Sequence, residues 1–505
     1  MSSESSTIEL QTVGEIVDGF TQRVPSETVV TTIDREGNED AITRAELTDW
    51  SDRISLTLVE QGITVGDLVP IHLPTSNEFI AAAIGIFKAG GTPMPVSNRL
   101  PETELGHLLE LAEAKVIISK TLATNQCLNI DSLRNANSTA DGTEKREQPL
   151  SRRVSNPTKA LASGGSTGKP KLIVTTGDAL FDPENPIIPM LMRFEPSDLK
   201  YSPGPLYHNG PFWFSINMLL RGGRLLLNER FNAQSCLENI ERHQPTVLNL
   251  VPTMMQRLLR EPRWHEADLS SVRIAWHLAA PCPAWAKEGF IEKLGGSAVL
   301  ELWAATESNG LTIIDGEEWL SHRGSVGKPV GTEVLILDEH RQPLPQGEVG
   351  EIFTRMAGAE PPCEYRGAQS LDSINDGFTS VGDLGWLDEE GYLYLADRRT
   401  DLIISGGANI YPAEVEAVIS QHPKVKDVAV VGLKDEDLGR RVHAIVEGFD
   451  PDDLPSPEEL FALCSEQLVR YKVPRTIEMI DALPRNDAGK IRRSQLREER
   501  DSRKQ

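Results

Sequence analysis

The chain has 505 residues, with 51 Lys and Arg against 75 Asp and Glu, a formal charge of −24. That length predicts about two to four domains, and 39% hydrophobic with 25% charged residues is globular rather than disordered composition. So acidic a chain is a poor nucleic-acid binder, because phosphate affinity rests on Lys and Arg clusters, and an anionic substrate needs a local basic site set against the overall field.

The first residues, MSSESSTIEL, are polar and acidic and lack an apolar signal core. No apolar stretch in the chain is long enough to span a bilayer. Segment 77–90 (NEFIAAAIGIFKAG) has an apolar helical face and a Gly stop, and PMPVSN after it reads as a strand. Residues 129–156 turn polar, with NSTADGTEKREQ among them, and predict a solvated loop. The short apolar runs GRLLLN, TVLNLV, VRIAWHLAA and AVLELWAATE then recur with helical segments between, the pattern of an α/β sheet. After Gly324 short strands and tight turns predict a β-rich unit. From about Arg399 follow a strand DLIIS, a Gly-Gly turn, a helix, two strands and a helix, a small α+β module. From Arg492 the tail is a charged helix or a frayed end. DSRKQ at the C-terminus is not the SKL-type peroxisomal address. The five cysteines (Cys127, Cys236, Cys282, Cys363, Cys464) lie far apart without CxxC or Cys/His ligand spacing, which argues against a zinc site or a disulfide framework. Cys282 has no local base and reads as a small apolar filler. The expectation is a soluble cytoplasmic protein.

The segment richest in chemistry is 161–171, LASGGSTGKPK. Its glycines and hydroxyls expose N–H and O–H donors that can wrap phosphate oxygens, and Lys169 and Lys171 add positive charge. It is not a Walker A loop, which needs Gly at Ser163 and Ser or Thr at Pro170. By itself the segment also fits an ordinary Gly/Ser surface loop.

The order of further motifs goes beyond that. SGGSTGKPK is followed by LYHNG (206–210), AAPCP (279–283), WAATE (303–307), GSVGKP (324–329), GEVGEI (347–352), DGFTSVGDLG (376–385), DRRTDLIISGGANIYPAEVE (397–416) and LPRNDAGKIRR (483–493). In this order they resemble the adenylate-forming superfamily of acyl- and aryl-CoA synthetases, peptide-synthetase adenylation domains and luciferases, over nearly the whole chain. The resemblance implies an α/β fold: a large N-terminal domain (1–398) with two α/β sheets and a small β-rich subdomain, and a small mobile α+β C-terminal domain (399–505). It implies ATP, Mg²⁺ and CoA, and adenylation of a carboxylic acid with loss of pyrophosphate. Both reactants are anionic, so such a site must supply cations and donors where charge builds up.

Residue by residue, the resemblance puts Ser163, Gly164, Gly165, Ser166, Thr167, Gly168, Lys169 and Lys171 around the phosphates. Ala280 and Trp303 fall at the adenine, Thr306 at the α-phosphate, and Asp383 and Arg398 at the ribose. Glu307 falls at Mg²⁺, a hard cation suited to one carboxylate plus phosphate oxygens. Lys490 bridges the α-phosphate and the attacking carboxylate. Tyr207, His208, Trp213 and Phe214 fall at the acid pocket, where His208 also gates the second step. Lys490, His208 and Thr306 are thus the residues nearest the chemistry. Gly406 and Gly407 border the pantetheine path, and Thr400 stands at the hinge. Taken singly, Asp383 also reads as a turn cap, Glu307 and Lys490 as surface charges, and His208 as a structural residue.

The chain departs from the pattern at several positions. Trp303 replaces the Tyr that stacks on adenine. Ala304 replaces a Gly, which is tolerable only at negative φ, and Thr400 replaces the usual Asp or Lys at the hinge. Trp213 stands where amino-acid-activating relatives carry the Asp that holds an α-ammonium, so an α-amino acid would lack its counter-charge. Tyr207, Trp213 and Phe214 suit an apolar or aromatic acid, or are plain core. The string Leu294-Gly295-Gly296-Ser297 mimics a carrier attachment motif, but it runs into a strand. The simplest expectation is a stand-alone acid–CoA ligase acting on a small-molecule acid. The alternatives are acyl transfer to a carrier protein or an amine, a luciferase-like oxygenase, and a non-catalytic nucleotide-binding relative.

Overall fold

Helix Asn77–Ala89 opens on Ser76, whose Oγ accepts from Phe79 N, and stops at Gly90 in the left-handed region, φ 82°. All thirteen of its residues are buried. The helix Arg44–Glu60 crosses it where Gly85 has no side chain: a Cβ there would stand 2.7 Å from Ile54 Cγ2. The one lysine on this helix, Lys88, is fully buried and ion-paired to Asp18 and Asp52 at 2.6 and 2.7 Å. Elsewhere helices begin where the sequence offers a hydroxyl followed three residues on by Glu: Thr12 with Glu15, Thr43 with Glu46 and Ser456 with Glu459 each form a reciprocal cap.

The computed structural model describes residues 9–122, 126–134, 150–164, 170–184, 187–356, 363–485 and 491–502. It divides into two units. The first comprises Met1–Ala279, Glu288–Asn309 and Ala359–Ser370, the second Ala280–Lys287, Gly310–Gly358 and Leu371–Gln505.

The first unit holds two parallel sheets. In one, the strands Val299–Ala304, Ile274–Leu278, Val247–Leu250, Leu199–Ser202, Arg224–Asn228 and Thr28–Ile33 lie side by side and parallel, with Glu39–Thr43 antiparallel at the edge. Four of them are the apolar runs read from the sequence. The other sheet is four-stranded and parallel, and includes Leu68–His72 and the expected strand at Thr92–Pro95. Against it packs a three-stranded antiparallel sheet of Lys159–Gly164, Pro170–Thr175 and Cys363–Arg366. The polar stretch 129–156 is not all loop. It opens with a short helix, Ile130–Arg134, which buries Ile130 and Leu133, while 135–149 lie outside the described residues.

The second unit is β-rich in its first half, as the turn-rich sequence after Gly324 predicts. Two glycines of the motifs are fixed there by close approach. A Cβ on Gly327 would meet Ile313 O at 2.1 Å, and one on Gly385 would meet Tyr394 O at 2.1 Å. The C-terminal part follows the predicted order with two additions: Ala408–Ile410 returns antiparallel to Ile403–Ser405 after the Gly-Gly turn, and Thr476–Ile480 pairs parallel to Gly439–Gly448, completing a three-stranded sheet. The tail is helical over Arg493–Ser502. Among the described residues no helix is long and apolar enough to cross a membrane.

Candidate active site

The antiparallel sheet of the first unit has two different faces because side chains alternate along each strand. Ala160, Leu172 and Val174 point into an apolar cluster with Leu68, Met94 and Leu105. The register sets the other face in rows. Lys171 stands opposite Ser163 in the first row; Leu161, Ile173 and Tyr365 form the next row; Lys159, Thr175 and Cys363 form the third.

Glu307 meets this face from the turn after strand Val299–Ala304, at the carboxyl end of the parallel sheet, where α/β folds commonly bind ligands. The Tyr365 hydroxyl donates to Glu307 Oε1 at 2.5 Å. Lys171 Nζ stands 3.4 Å from the centroid of the Tyr365 ring and 3.7 Å from the same Oε1. Both partners thus engage one oxygen, and Oε2 has no partner among the described residues. No group of three or more His, Cys, Asp or Glu side chains able to hold a metal occurs among those residues. A lone carboxylate with one oxygen open is a poor zinc or calcium cage. It fits Mg²⁺, which keeps waters and takes its remaining ligands from substrate phosphates.

The helix Asn209–Leu220 supplies the neighbouring wall, with His208 at its N-cap and the Tyr207 and His208 rings edge to face at 4.6 Å. Trp213 is half-buried on this helix, whereas Phe214 is buried in the core between Phe194 and Trp276. Lys159 reaches across: its Nζ donates to Asn209 Oδ1 at 2.6 Å and lies 4.9 Å from the Trp213 ring centroid. Burial pushes the Lys159 ammonium down to about 7, opposed by the nearby Cys363 and Glu307. Burial, aided by Glu307, pushes the Cys363 thiol up to about 12, so this cysteine is inert.

Thr306 precedes Glu307 in the same turn, and Trp303 is half-buried near the end of the strand. Ala304 closes that strand in extended backbone, the condition its replacement of glycine requires. Ser297 of the carrier-like string lies in a 3-10 turn leading into the same strand.

In the second unit, Asp383 and Arg398 are register partners on adjacent antiparallel strands, and Arg398 Nε lies 3.2 Å from Asp383 Oδ1. Asp383 is buried and the Arg398 side chain is 60% exposed, so the pair presents a held acceptor beside a movable donor. Thr400 is exposed in the turn after this strand. Gly406 and Gly407, φ 56° and 82°, form a two-residue hairpin between Ile403–Ser405 and Ala408–Ile410. Ala280, half-buried, belongs to the second unit by its packing. Gly165, Ser166, Thr167, Gly168, Lys169 and Lys490 lie outside the described residues. Ser163 and Gly164 pair in register with Lys171 and Pro170.

The AMP-binding enzyme family matches residues 19–359, and the AMP-binding enzyme C-terminal domain matches 414–490. The chain belongs to the AMP-binding enzyme family. A feruloyl-CoA synthase from Amycolatopsis sp is 30% identical over 466 residues, covering 90% of this chain and 94% of that protein. The o-succinylbenzoate CoA synthetase of Bacillus subtilis, solved with its acyl-adenylate intermediate OSB-AMP, superposes with TM-score 0.81 at 28% identity, over 97% of this chain and 98% of that one. The same synthetase in complex with ATP and magnesium ion gives TM-score 0.80 at 27% identity, over 97% and 99% of the two chains. This AMP-binding enzyme is accordingly of the AMP-forming acid–CoA ligase kind, with the large N-terminal and small C-terminal domains of that fold.

Two residues of the site escaped the sequence reading. Lys159 is a single charge at the head of the apolar strand KALASG, and Tyr365 lies in a four-residue strand between two of the motifs, in neither of them. The one sequence signal was a lysine on the alternating face that leads to Lys171.

Proposed function

We propose that this enzyme activates an apolar or aromatic carboxylic acid, not an α-amino acid, as its acyl-AMP and transfers the acyl group to CoA. The observation carrying the acid class is the wall at Trp213: an indole with the Lys159 ammonium 4.9 Å from its ring centroid. A substrate ammonium brought there would meet the Lys159 side chain and an indole, while Glu307 is already engaged by Tyr365 and Lys171. The relatives' names, feruloyl-CoA synthase and o-succinylbenzoate CoA synthetase, are those of enzymes for aromatic acids.

In this reading Glu307 would hold Mg²⁺, which would supply positive charge to offset that of the departing pyrophosphate. Tyr365 and Lys171 keep the carboxylate aimed. Residues 163–169 with Lys171 wrap the phosphates, and Thr306 donates to the α-phosphate. Trp303 stacks on adenine beside Ala280, while Asp383 accepts from the ribose hydroxyls and Arg398 donates to them. Lys490 bridges carboxylate and α-phosphate during adenylation only. The small domain, residues 399–505, then turns about Thr400 for the second step, in which the Gly406–Gly407 hairpin, free of side chains, borders the pantetheine path.

The test of the acid class is pyrophosphate release over a panel of alkanoic, benzoic, cinnamic and α-amino acids. Release with aryl or alkyl acids and silence with α-amino acids is expected. A preference for α-amino acids overturns the reading.

A further inference from the structure

On the working face of the antiparallel sheet, cations stand at both ends and apolar groups between. Lys171 sits in the first row; Leu161, Ile173 and Tyr365 make the second; Lys159 sits in the third. Four residues of strand separate the two lysine rows, about 13 Å at 3.3 Å per residue. Lys171 is engaged at Glu307, where the phosphates belong in the proposed reaction. Lys159 has no such partner. It is 2% exposed, it stands on a strand of an acidic protein, and Asn209 is its one hydrogen-bond acceptor among the described residues. An ammonium has three donors, and leaving two unused in a buried place is costly unless a ligand takes them. Trp213 gives that corner a flat apolar side.

We propose that Lys159 is a specificity-determining residue that holds a second oxygen acceptor on the acid, a carboxylate or phenol oxygen at the end of the acyl body remote from the reacting carboxyl. The substrate class is then a bifunctional acid with an apolar or aromatic middle, matching the cation, apolar row and cation of the sheet. The inference rests on the ligase reading above and narrows it. The groups facing Lys159 are Asn209 and Trp213 on the helix, Cys363 across the sheet and Glu307 beyond it. Burial destabilises the Lys159 ammonium and Cys363 is a neutral thiol, so an acceptor oxygen brought to the nitrogen would supply the missing negative partner and restore the charged form.

The experiment uses paired acids on the full-length enzyme: benzoate against 4-carboxybenzoate and 4-hydroxybenzoate, and cinnamate against its 4-carboxy form. Calorimetric binding and kcat/KM of pyrophosphate release are both read, for wild type, Lys159→Met and Lys159→Arg. Wild type should favour the acceptor-bearing member of a pair by roughly tenfold to a hundredfold, the range of one hydrogen bond to a charged group. Lys159→Met should bring that ratio to near one, and Lys159→Arg should restore part of it. If Lys159→Met does not fold, the wild-type ratio alone still decides: a ratio at or below one overturns the proposal. Equal loss on both members of every pair also overturns it, since Lys159 would then hold the reacting carboxylate. Discriminating binding without pyrophosphate release would sink the ligase reading and leave Lys159 in its role.

Discussion

Tyr365 and Glu307, 58 residues apart in sequence, share one short hydrogen bond, and Lys171 lies against the same tyrosine ring. The arrangement holds the glutamate through Oε1 and leaves Oε2 without a partner among the described residues, the oxygen that would take Mg²⁺ in the proposed reaction. Glu307→Gln should therefore slow pyrophosphate release by about a hundredfold to a thousandfold, the usual loss for a group acting on transition-state charge. Tyr365→Phe keeps the carboxylate but frees its rotation. The expected result is a loss of about tenfold that high Mg²⁺ partly recovers, measured by titrating Mg²⁺ at saturating ATP.

In the proposed reaction the register partners Asp383 and Arg398 hold the ribose. Asp383 is held by the strand register and Arg398 is largely exposed, so the aspartate should matter more to ATP affinity. Asp383→Ala should raise KM for ATP about tenfold to a hundredfold with a smaller change in kcat, as loss of uniform binding does. Steady-state kinetics at varied ATP check it. A fall in kcat with KM unmoved would place Asp383 outside the nucleotide site.

Most of the architecture was legible because hydrophobic period and turn chemistry are local. Helix Asn77–Ala89 with its Gly90 stop, the four apolar strands and the Gly406–Gly407 hairpin all announce themselves within a dozen residues. Thr476–Ile480 did not. It is five residues long with a charge in the middle, and its identity as a strand comes from pairing with Gly439–Gly448. The site divides the same way. Glu307 and Asp383 stand in recognisable strings, whereas Tyr365 and Lys159 acquire meaning only when two distant strands bring them to one sheet face. Phe214 shows the converse: adjacent to Trp213 in sequence, it turns into the core, because neighbours on a helix point about 100° apart.

Lys200 is fully buried with Ser215 Oγ as its hydrogen-bond partner at 3.0 Å, and burial pushes its ammonium down to about 7. The unfolded chain binds that proton up to pH 10 or so, while the folded chain releases it near 7. Between those values the unfolded state holds more protons, so the contribution of Lys200 to stability rises with pH. Lys200→Met should be more stable than wild type at pH 6, with the margin narrowing toward pH 10. Thermal midpoints across that range give the answer, and a margin that widens with pH would be the wrong sign.

Lys88 presents the opposite case. Its ammonium is fully buried, but it is satisfied by Asp18 and Asp52. Lys88→Met leaves two partly exposed carboxylates without their cation and should cost about 2–4 kcal/mol, less than a fully buried pair because both aspartates keep some solvent. The shift in urea midpoint measures it. Lys88→Met together with Asp18→Asn and Asp52→Asn should recover part of the loss.

In the proposed reaction the activated acid passes to CoA. Pyrophosphate release with a good aryl acid, with and without CoA, and mass analysis of the products test this acceptor, with Lys490→Ala as the variant expected to lose adenylation. Transfer to CoA should give release that accelerates when CoA is added, an acyl-CoA thioester in step with it, and neither in the Lys490→Ala protein. Release indifferent to CoA, with no thioester formed, would contradict it and point to an amine or a carrier protein as the acceptor.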